Sequence, residues 1–243
     1  MEKTKGRGEV FALAKNFFLP RGFVYNKKFD DFILVSAKDT ISISIGIMRI
    51  GIRFYMNYGI LRTYKLIEEP WVNDRALLGW GNQKKEAYYT LYINPALLNV
   101  QNYDPFKTYE TRVEIRPTPE EIRNYFVKFE NEINTVVYPL LDKLNDIREM
   151  DRFLNDPPEA FMEKSNVIAG YGLHFRKMII ARYAGNPNYE LVCKAMYDFI
   201  YKIAQEEPAK YQGYLTLYHK VYEALKDVKP LENTQLSPIV FGV

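Results

Sequence analysis

The chain has 243 residues, 47% of them hydrophobic and 15% aromatic, which is enough for a packed core and too apolar for a disordered segment. One cysteine, Cys193, cannot close an internal disulfide, and with only His174 and His219 beside it the chain cannot form an all-Cys/His zinc site, so a reducing cytoplasmic compartment is expected, with neither metal nor cofactor. No run reaches the ~20 apolar residues of a membrane helix, and Lys15 and Asn16 interrupt Val10–Leu19, so neither a membrane span nor a secretory leader is expected.

The first element reads as a helix from about Glu9 to Leu19, with an apolar stripe of Val10, Phe11, Leu13, Ala14, Phe17 and Phe18, stopped by Pro20 and Gly22. Phe23–Tyr25 and Phe29–Ala37 read as strands joined by a Lys38-Asp39 turn to the next. There, Ile41, Ile43, Ile45 and Ile47 alternate with Ser42, Ser44 and Gly46, the period-two signature of a strand with one buried face. Past Met48 the apolar phase moves to Ile50, Ile52 and Phe54, predicting a bulge or tight turn near Met48-Arg49. Further strands are expected at Leu61–Ile67, Ala87–Ile93 and Tyr109–Arg116, with an ordered loop or short helix over Pro70–Gly81 carrying both tryptophans.

After Arg116 the period turns helical. Thr118-Pro119-Glu120-Glu121 is a helix start, with Thr as cap and Glu121 able to reach back to it. Ile122, Phe126, Phe129, Ile133, Val136 and Leu140 continue the stripe. Asp146 caps a short helix ending at Asn155-Asp156-Pro157-Pro158, and further helices are expected at about Gly172–Tyr183, Pro187–Glu206 and Pro208–Lys226. Strands first and helices after predict an α+β fold: an N-terminal helix, an antiparallel sheet of about five strands with helices on one face, then an all-helical extension. The expected division is a sheet domain over 1–156 and a helical extension over 157–243 packed on it. The predicted core includes Phe17, Phe18, Ile43, Ile45, Ile52, Phe54, Leu91, Val113, Phe126, Phe129 and Ile133.

The chemistry-bearing residues point mainly to packing. Lys5-Gly6-Arg7-Gly8 lacks the preceding strand that a phosphate loop needs. Cys193 lies in an apolar helix and reads as a small core hydrophobe, and His219 reads as surface. His174 and Arg176 open a helix and are the participants expected in an enzyme reading, although no carboxylate at helical spacing orients the histidine. Tyr211, Tyr214, Tyr218 and Tyr222, with Tyr197 and Tyr201, form a stripe that reads as the seam of two antiparallel helices. Six lysines balance six acids from Pro187 to Pro230, which argues against nucleic acid.

Charge itself is uneven. Twelve basic and five acidic residues up to Lys65 give +7, which leaves −4 for the rest of a chain of net charge +3. An acidic partner or an ordinary solvated surface would each suit that bias.

Leu19-Pro20-Arg21-Gly22-Phe23 follows the first helix and precedes an aromatic strand and then the alternating strand Ile41–Met48. Later, Val137-Tyr138-Pro139-Leu140-Leu141 closes a helix ahead of Asp146–Leu154. In these features, over about Val10 to Asn155, the chain resembles the bacterial domain of unknown function 4304 family. Trp71 and Trp80 match part of that family's tryptophan-rich segment, and the helices after Pro157 fall outside it. The resemblance implies no activity and no catalytic residues.

The expected function is that of a non-catalytic protein-binding module with an accessory, regulatory or toxin-neutralising role. The alternative is an enzyme with a site between sheet and helices around His174 and Arg176. The expected partner is another protein, with homo-oligomerisation open. The expected binding face gathers Ser42, Ser44, Arg49, Arg53, Tyr55, Tyr88 and Tyr92, with Thr90 beside them, opposite the isoleucine face.

Overall fold

Residues 2–50, 53–78, 89–93, 113–116, 118–157 and 172–241 are described by the structure, a computed structural model of the chain. Helix α1 (Glu2–Phe18) buries Val10, Ala14, Phe17 and Phe18, a stripe at helical spacing. A 3₁₀ turn over Leu19–Arg21 follows, and Gly22, at φ 84°, ends it by donating its N–H to the Leu19 carbonyl at 3.0 Å. Strands β1 (Val24–Asn26), β2 (Asp31–Val35), β3 (Asp39–Ile50), β4 (Arg53–Tyr64), β5 (Leu91–Ile93) and β6 (Val113–Ile115) form one antiparallel sheet. The order is β1-β2-β3-β4-β5, and β6 also pairs with β4, Phe54 opposite Ile115 and Met56 opposite Val113.

The alternating isoleucines do face the core. Ile41, Ile43 and Ile47 are buried, and Ile45 is half-buried. At Met48-Arg49, where a bulge or tight turn is expected, β3 runs on through Ile50. On β4 the buried side is Met56, Tyr58, Ile60, Arg62 and Tyr64. Of the remaining predicted core, Phe17, Phe18, Leu91, Phe126, Phe129 and Ile133 are buried and Phe54 is half-buried. Ile52 and the side chain of Val113 lie outside the described residues. So do Trp80, Ala87–Tyr88 and Tyr109–Arg112, which leaves Leu91–Ile93 and Val113–Ile115 as the described strands there.

The expected strand Leu61–Ile67 is overturned beyond Tyr64. Lys65 opens helix α2 (Lys65–Val72), which buries Ile67, Glu68 and Trp71, and a 3₁₀ turn follows over Arg75–Leu78. Helix α3 (Pro119–Glu132) starts as expected, with Thr118 accepting a hydrogen bond from the Glu121 N–H. Glu121, however, accepts from the Arg116 N–H at 2.6 Å and not from the cap residue. A π-turn over Ile133–Val137 then leads into α4 (Tyr138–Lys143), and the Tyr138 N–H reaches the Ile133 carbonyl. Pro139 explains the widening, since it has no N–H to give the turn before it and its ring would clash with the Thr135 carbonyl. The extra residue in that turn moves the buried stripe by one, so Val137 and Leu141 are buried in place of Val136 and Leu140.

The remaining helices are α5 (Ile147–Asn155), α6 (Leu173–Ala184), α7 (Tyr189–Glu206) and α8 (Pro208–Leu225). Asp146 caps α5, accepting from the N–H groups of Arg148 at 2.8 Å and Glu149 at 3.2 Å. Among the described residues no helix is long and apolar enough to cross a membrane.

The chain sorts into two compact units, neither continuous in sequence. The first comprises Met1–Arg62, Tyr92–Asp142 and Val240–Val243; the second comprises Thr63–Leu91 and Lys143–Ile239. The first unit is held by an aromatic core in which Phe17 and Phe18 of α1 meet Phe129 of α3, each with ring centroids 6.0 Å away, and Tyr58 of β4 lies 5.1 Å from the same ring. It also buries an ion pair, Arg62 Nε to Asp39 Oδ2 at 2.9 Å, with both side chains fully buried. Ser36 adds its hydroxyl to Asp39, and Arg62 donates to the Leu141 carbonyl at 3.0 Å.

The second unit is built on α6 and on the α7–α8 hairpin. Tyr218 donates to the Cys193 carbonyl at 3.1 Å and Tyr222 to the Glu190 carboxylate at 3.0 Å, so contacts run backwards along the two helices and make them antiparallel. Tyr197, Tyr218 and Tyr222 of the stripe therefore lie on their seam, whereas Tyr214 is buried with its ring stacked on Phe175 of α6 and Tyr201 is exposed. A tail segment docks on the start of α5 through Leu236 N–H to the Asn145 carbonyl, Ile147 N–H to the Thr234 carbonyl, both at 2.9 Å, and the Thr234 hydroxyl to Asp146 at 2.6 Å.

Candidate functional site

Of the expected binding residues, Ser42, Ser44, Arg53, Tyr55 and Tyr92 belong to the first unit, whereas Thr90 is buried in the second. Ser42 is half-buried and Ser44 exposed, on the side of β3 away from the isoleucines. Ser42 donates its hydroxyl to Asp31 across the β2–β3 ladder, and Ser44 lies 3.4 Å from the Gly59 carbonyl of β4. Gly59 lets Tyr92 approach. A Cβ there would stand 3.2 Å from the Tyr92 ring and 3.5 Å from the Ser44 hydroxyl, so the missing side chain is what admits the ring to the strand.

Arg53 is exposed at the start of β4, 3.4 Å from Glu114 of β6, whose backbone pairs with Tyr55. Hydrogen bonding to Tyr55, and then the Glu114 charge, hold the Arg53 guanidinium above its ordinary value. The structure thus groups Ser44 with Tyr92 and Arg53 with Tyr55 on the non-core side of the sheet. The side chain of Arg49 and the whole of Tyr88 lie outside the described residues.

The residues of the enzyme reading are in the second unit, and packing accounts for them. Arg176 is buried on α6 and grips Glu68 of α2 with two parallel bonds, Nε to Oε1 and Nη2 to Oε2, both 2.8 Å. Thr90 donates to the same carboxylate at 2.7 Å while accepting the Tyr64 N–H at 3.0 Å. The guanidinium also lies over Trp71, 4.9 Å from the ring centre. His174, half-buried, tilts against the Phe199 ring at 5.0 Å. Burial, aided by the charge of Lys177, pushes its pKa down to about 4, so the ring is neutral at physiological pH. Cys193 is buried, and burial raises its thiol pKa to about 11, far from a reactive thiolate. His219 is exposed, as expected.

One polar cleft went unread in the sequence. It measures about 600 Å³ and lies between one face of α5 (Arg148, Asp151, Arg152, Asn155) and the segment after α6 that carries Asn186 and Asn188. Asn155 and Asn186 were legible only as punctuation, one beside a proline pair and the other beside Gly185 and Pro187. The spacing of 148, 151, 152 and 155 on one helix face was the available signal.

Compared with models of protein families, with curated proteins and with solved structures, the chain matches none.

Proposed function

We propose that the protein is a non-catalytic binding module whose partner is another protein, captured on the non-core side of the sheet at Arg53 and Tyr55. One observation carries this reading. Among the described residues Arg176, His174 and Cys193 are taken up in packing, whereas Arg53, Tyr55 and Glu114 form a charged, aromatic group at the surface. Arg and Tyr are the types that anchor interfaces, through planar hydrogen bonding and rigid amphipathic area. An accessory, regulatory or toxin-neutralising role in the cytoplasm fits the single reduced cysteine. The resemblance to the domain of unknown function 4304 family belongs to the same proposal and adds no activity to it.

The test is the double substitution Arg53→Ala with Tyr55→Ala, assayed by partner capture from the native cell and by thermal melting. Loss of two interface anchors should weaken capture by roughly 30-fold, taking about 2 kcal/mol for the pair. The melting temperature should stay within about 2 °C, since neither side chain is buried. Unfolding of the double variant, or undiminished capture, would sink the reading.

A further inference from the structure

The cleft on α5 has a floor of unusual chemistry. Asp151 is 6% exposed and its carboxylate is held from two sides, by Asn155 Nδ2 at Oδ1 and by Asn186 Nδ2 at Oδ2, both at 2.7 Å. Asn155, 1% exposed, gives its other amide proton to the Lys177 carbonyl at 3.1 Å. Both Nδ2 protons are therefore committed, which fixes the orientation of the amide. Its Oδ1 is buried and has no hydrogen-bond partner among the described residues, and Asn155 is one of the residues that line the cleft. A buried amide oxygen left unpaired is costly, so a donor brought to it is stabilised.

The far wall is equally fixed. Gly185 ends α6 at φ 71° and ψ 38°, and a Cβ there would press on the Pro230 ring at 3.1 Å, so glycine is required twice over. Asn186 Oδ1 accepts the Asn188 N–H at 2.7 Å, which holds the Asn186 amide toward Asp151. Arg148 stands exposed at the rim, where its charge also acts on Asp146, while Arg152 is paired with Glu149.

Two arginines and two aspartates, Asp151 and Asp156, line the cleft, so an ion gains little net attraction there. What the walls demand is a ligand whose groups both donate, to Asp151 and the Asn155 oxygen, and accept, from Arg148 and the Asn186 amide. A hydroxyl does both at a single neutral oxygen, whereas an amide divides the two roles between its oxygen and its nitrogen. Neighbouring hydroxyls of a diol also match the paired oxygens of a carboxylate and the fork of a guanidinium. The volume falls inside the range of about 300–1,000 Å³ typical of small-molecule sites, and Pro187, Pro230 and Ala184 supply apolar surface for ring carbons. We infer that this cleft is a binding site for a small neutral polyhydroxyl compound of the sugar class, read by Asp151, Asn155, Asn186 and Arg148. Burial holds the Asp151 carboxyl above its ordinary value against the pull of Asn155, Asn186 and Lys177, as expected of a sheltered acceptor.

The site is independent of the sheet face. It is tested on the full chain by titrating ribose, glucose, galactose, mannose and sorbitol, each to tens of millimolar, against the side-chain amide signals of Asn155 and Asn186. Free arginine and inorganic phosphate serve as the charged comparisons. At least one polyol should shift both signals saturably. Arg148→Ala should weaken that binding by about tenfold, the worth of one charge-assisted hydrogen bond, with an unchanged melting temperature because the side chain is exposed. The inference is overturned if no polyol shifts the two amides, if Arg148→Ala leaves the affinity intact, or if arginine or phosphate binds more tightly than every polyol.

Discussion

Replacing Arg176 by Met asks directly whether this arginine is structural or functional. The substitution keeps most of the volume beside Trp71 but removes both bonds to Glu68, leaving a carboxylate whose side chain is 6% exposed with Thr90 as its remaining named donor. Breaking one partner out of a buried pair costs about 3–5 kcal/mol, because the survivor is stranded away from water. For chains of roughly 150–250 residues each kcal/mol moves the melting temperature by about 2–4 °C, so the variant should melt about 6–20 °C lower. Arg176→Lys keeps the charge but loses the planar fork and the contact with Trp71, and should fall between the two. Joining Arg176→Met to Glu68→Leu removes both charges and should recover most of the loss, since a buried pair replaced by apolar groups of similar volume is often neutral or better. The assay is thermal melting followed by far-UV circular dichroism and by Trp fluorescence, to which Trp71 contributes under the guanidinium. A single Arg176→Met variant that melts within about 2 °C of the wild type would refute the reasoning and return Arg176 to the enzyme reading.

Gly213 of α8 offers the opposite kind of test. Alanine there would ordinarily favour the helix by about 1 kcal/mol, but its Cβ would stand 1.6 Å from the Leu77 carbonyl oxygen, so Gly213→Ala should instead destabilise by roughly 3 kcal/mol in urea unfolding, and a gain in stability would show that α8 does not dock on the Arg75–Leu78 turn. His174 predicts a pH dependence. Its folded pKa of about 4 lies below the unfolded value of about 6.5, so below pH 6.5 the unfolded chain binds a proton that the folded chain refuses, and stability falls until about pH 4. The fall from about 6.5 to about 4 corresponds to roughly 3 kcal/mol at most, and His174→Phe should flatten unfolding free energy across that window; an unchanged slope would mean that the ring titrates normally in the fold.

Where local rules decide the structure, the residues announced it. The alternation of Ile41, Ile43 and Ile47 put these side chains on the core face, Thr118 and Asp146 capped the helices they precede, and Tyr218 and Tyr222 of α8 faced α7. What escaped has physical causes. Lys65-Leu66-Ile67-Glu68-Glu69 carries Pro70 directly after it, which argues against a helix, yet the short α2 accommodates the proline in its last turn. Pro139 was legible as a helix residue but not as the cause of a π-turn, and one extra residue exchanged Val136 for Val137 in the core. The change of apolar phase past Met48 falls at the end of β3, which runs to Ile50, and β4 begins at Arg53.

The larger gap concerns charge. A run such as Met56, Tyr58, Ile60, Arg62 and Tyr64 reads as an inward strand face with one intruder, and nothing local says that Asp39, 23 residues earlier, waits for it. Glu68 and Arg176 stand 108 residues apart and meet only because α2 and α6 pack. Each unit thus encloses one Arg–carboxylate pair joining elements remote in sequence, and each pair is completed by a hydroxyl, from Ser36 in one and Thr90 in the other. Desolvation makes such pairs weak contributors to net stability, but any misregistered packing would strand a bare charge, which is far costlier than a misplaced leucine. Charges used in this way are withdrawn from the surface. Other arginines stay outside, among them Arg53 beside Tyr55 and Arg148 at the cleft on α5, and the two sets of substitutions proposed at these two separate a protein-binding face from a ligand cleft.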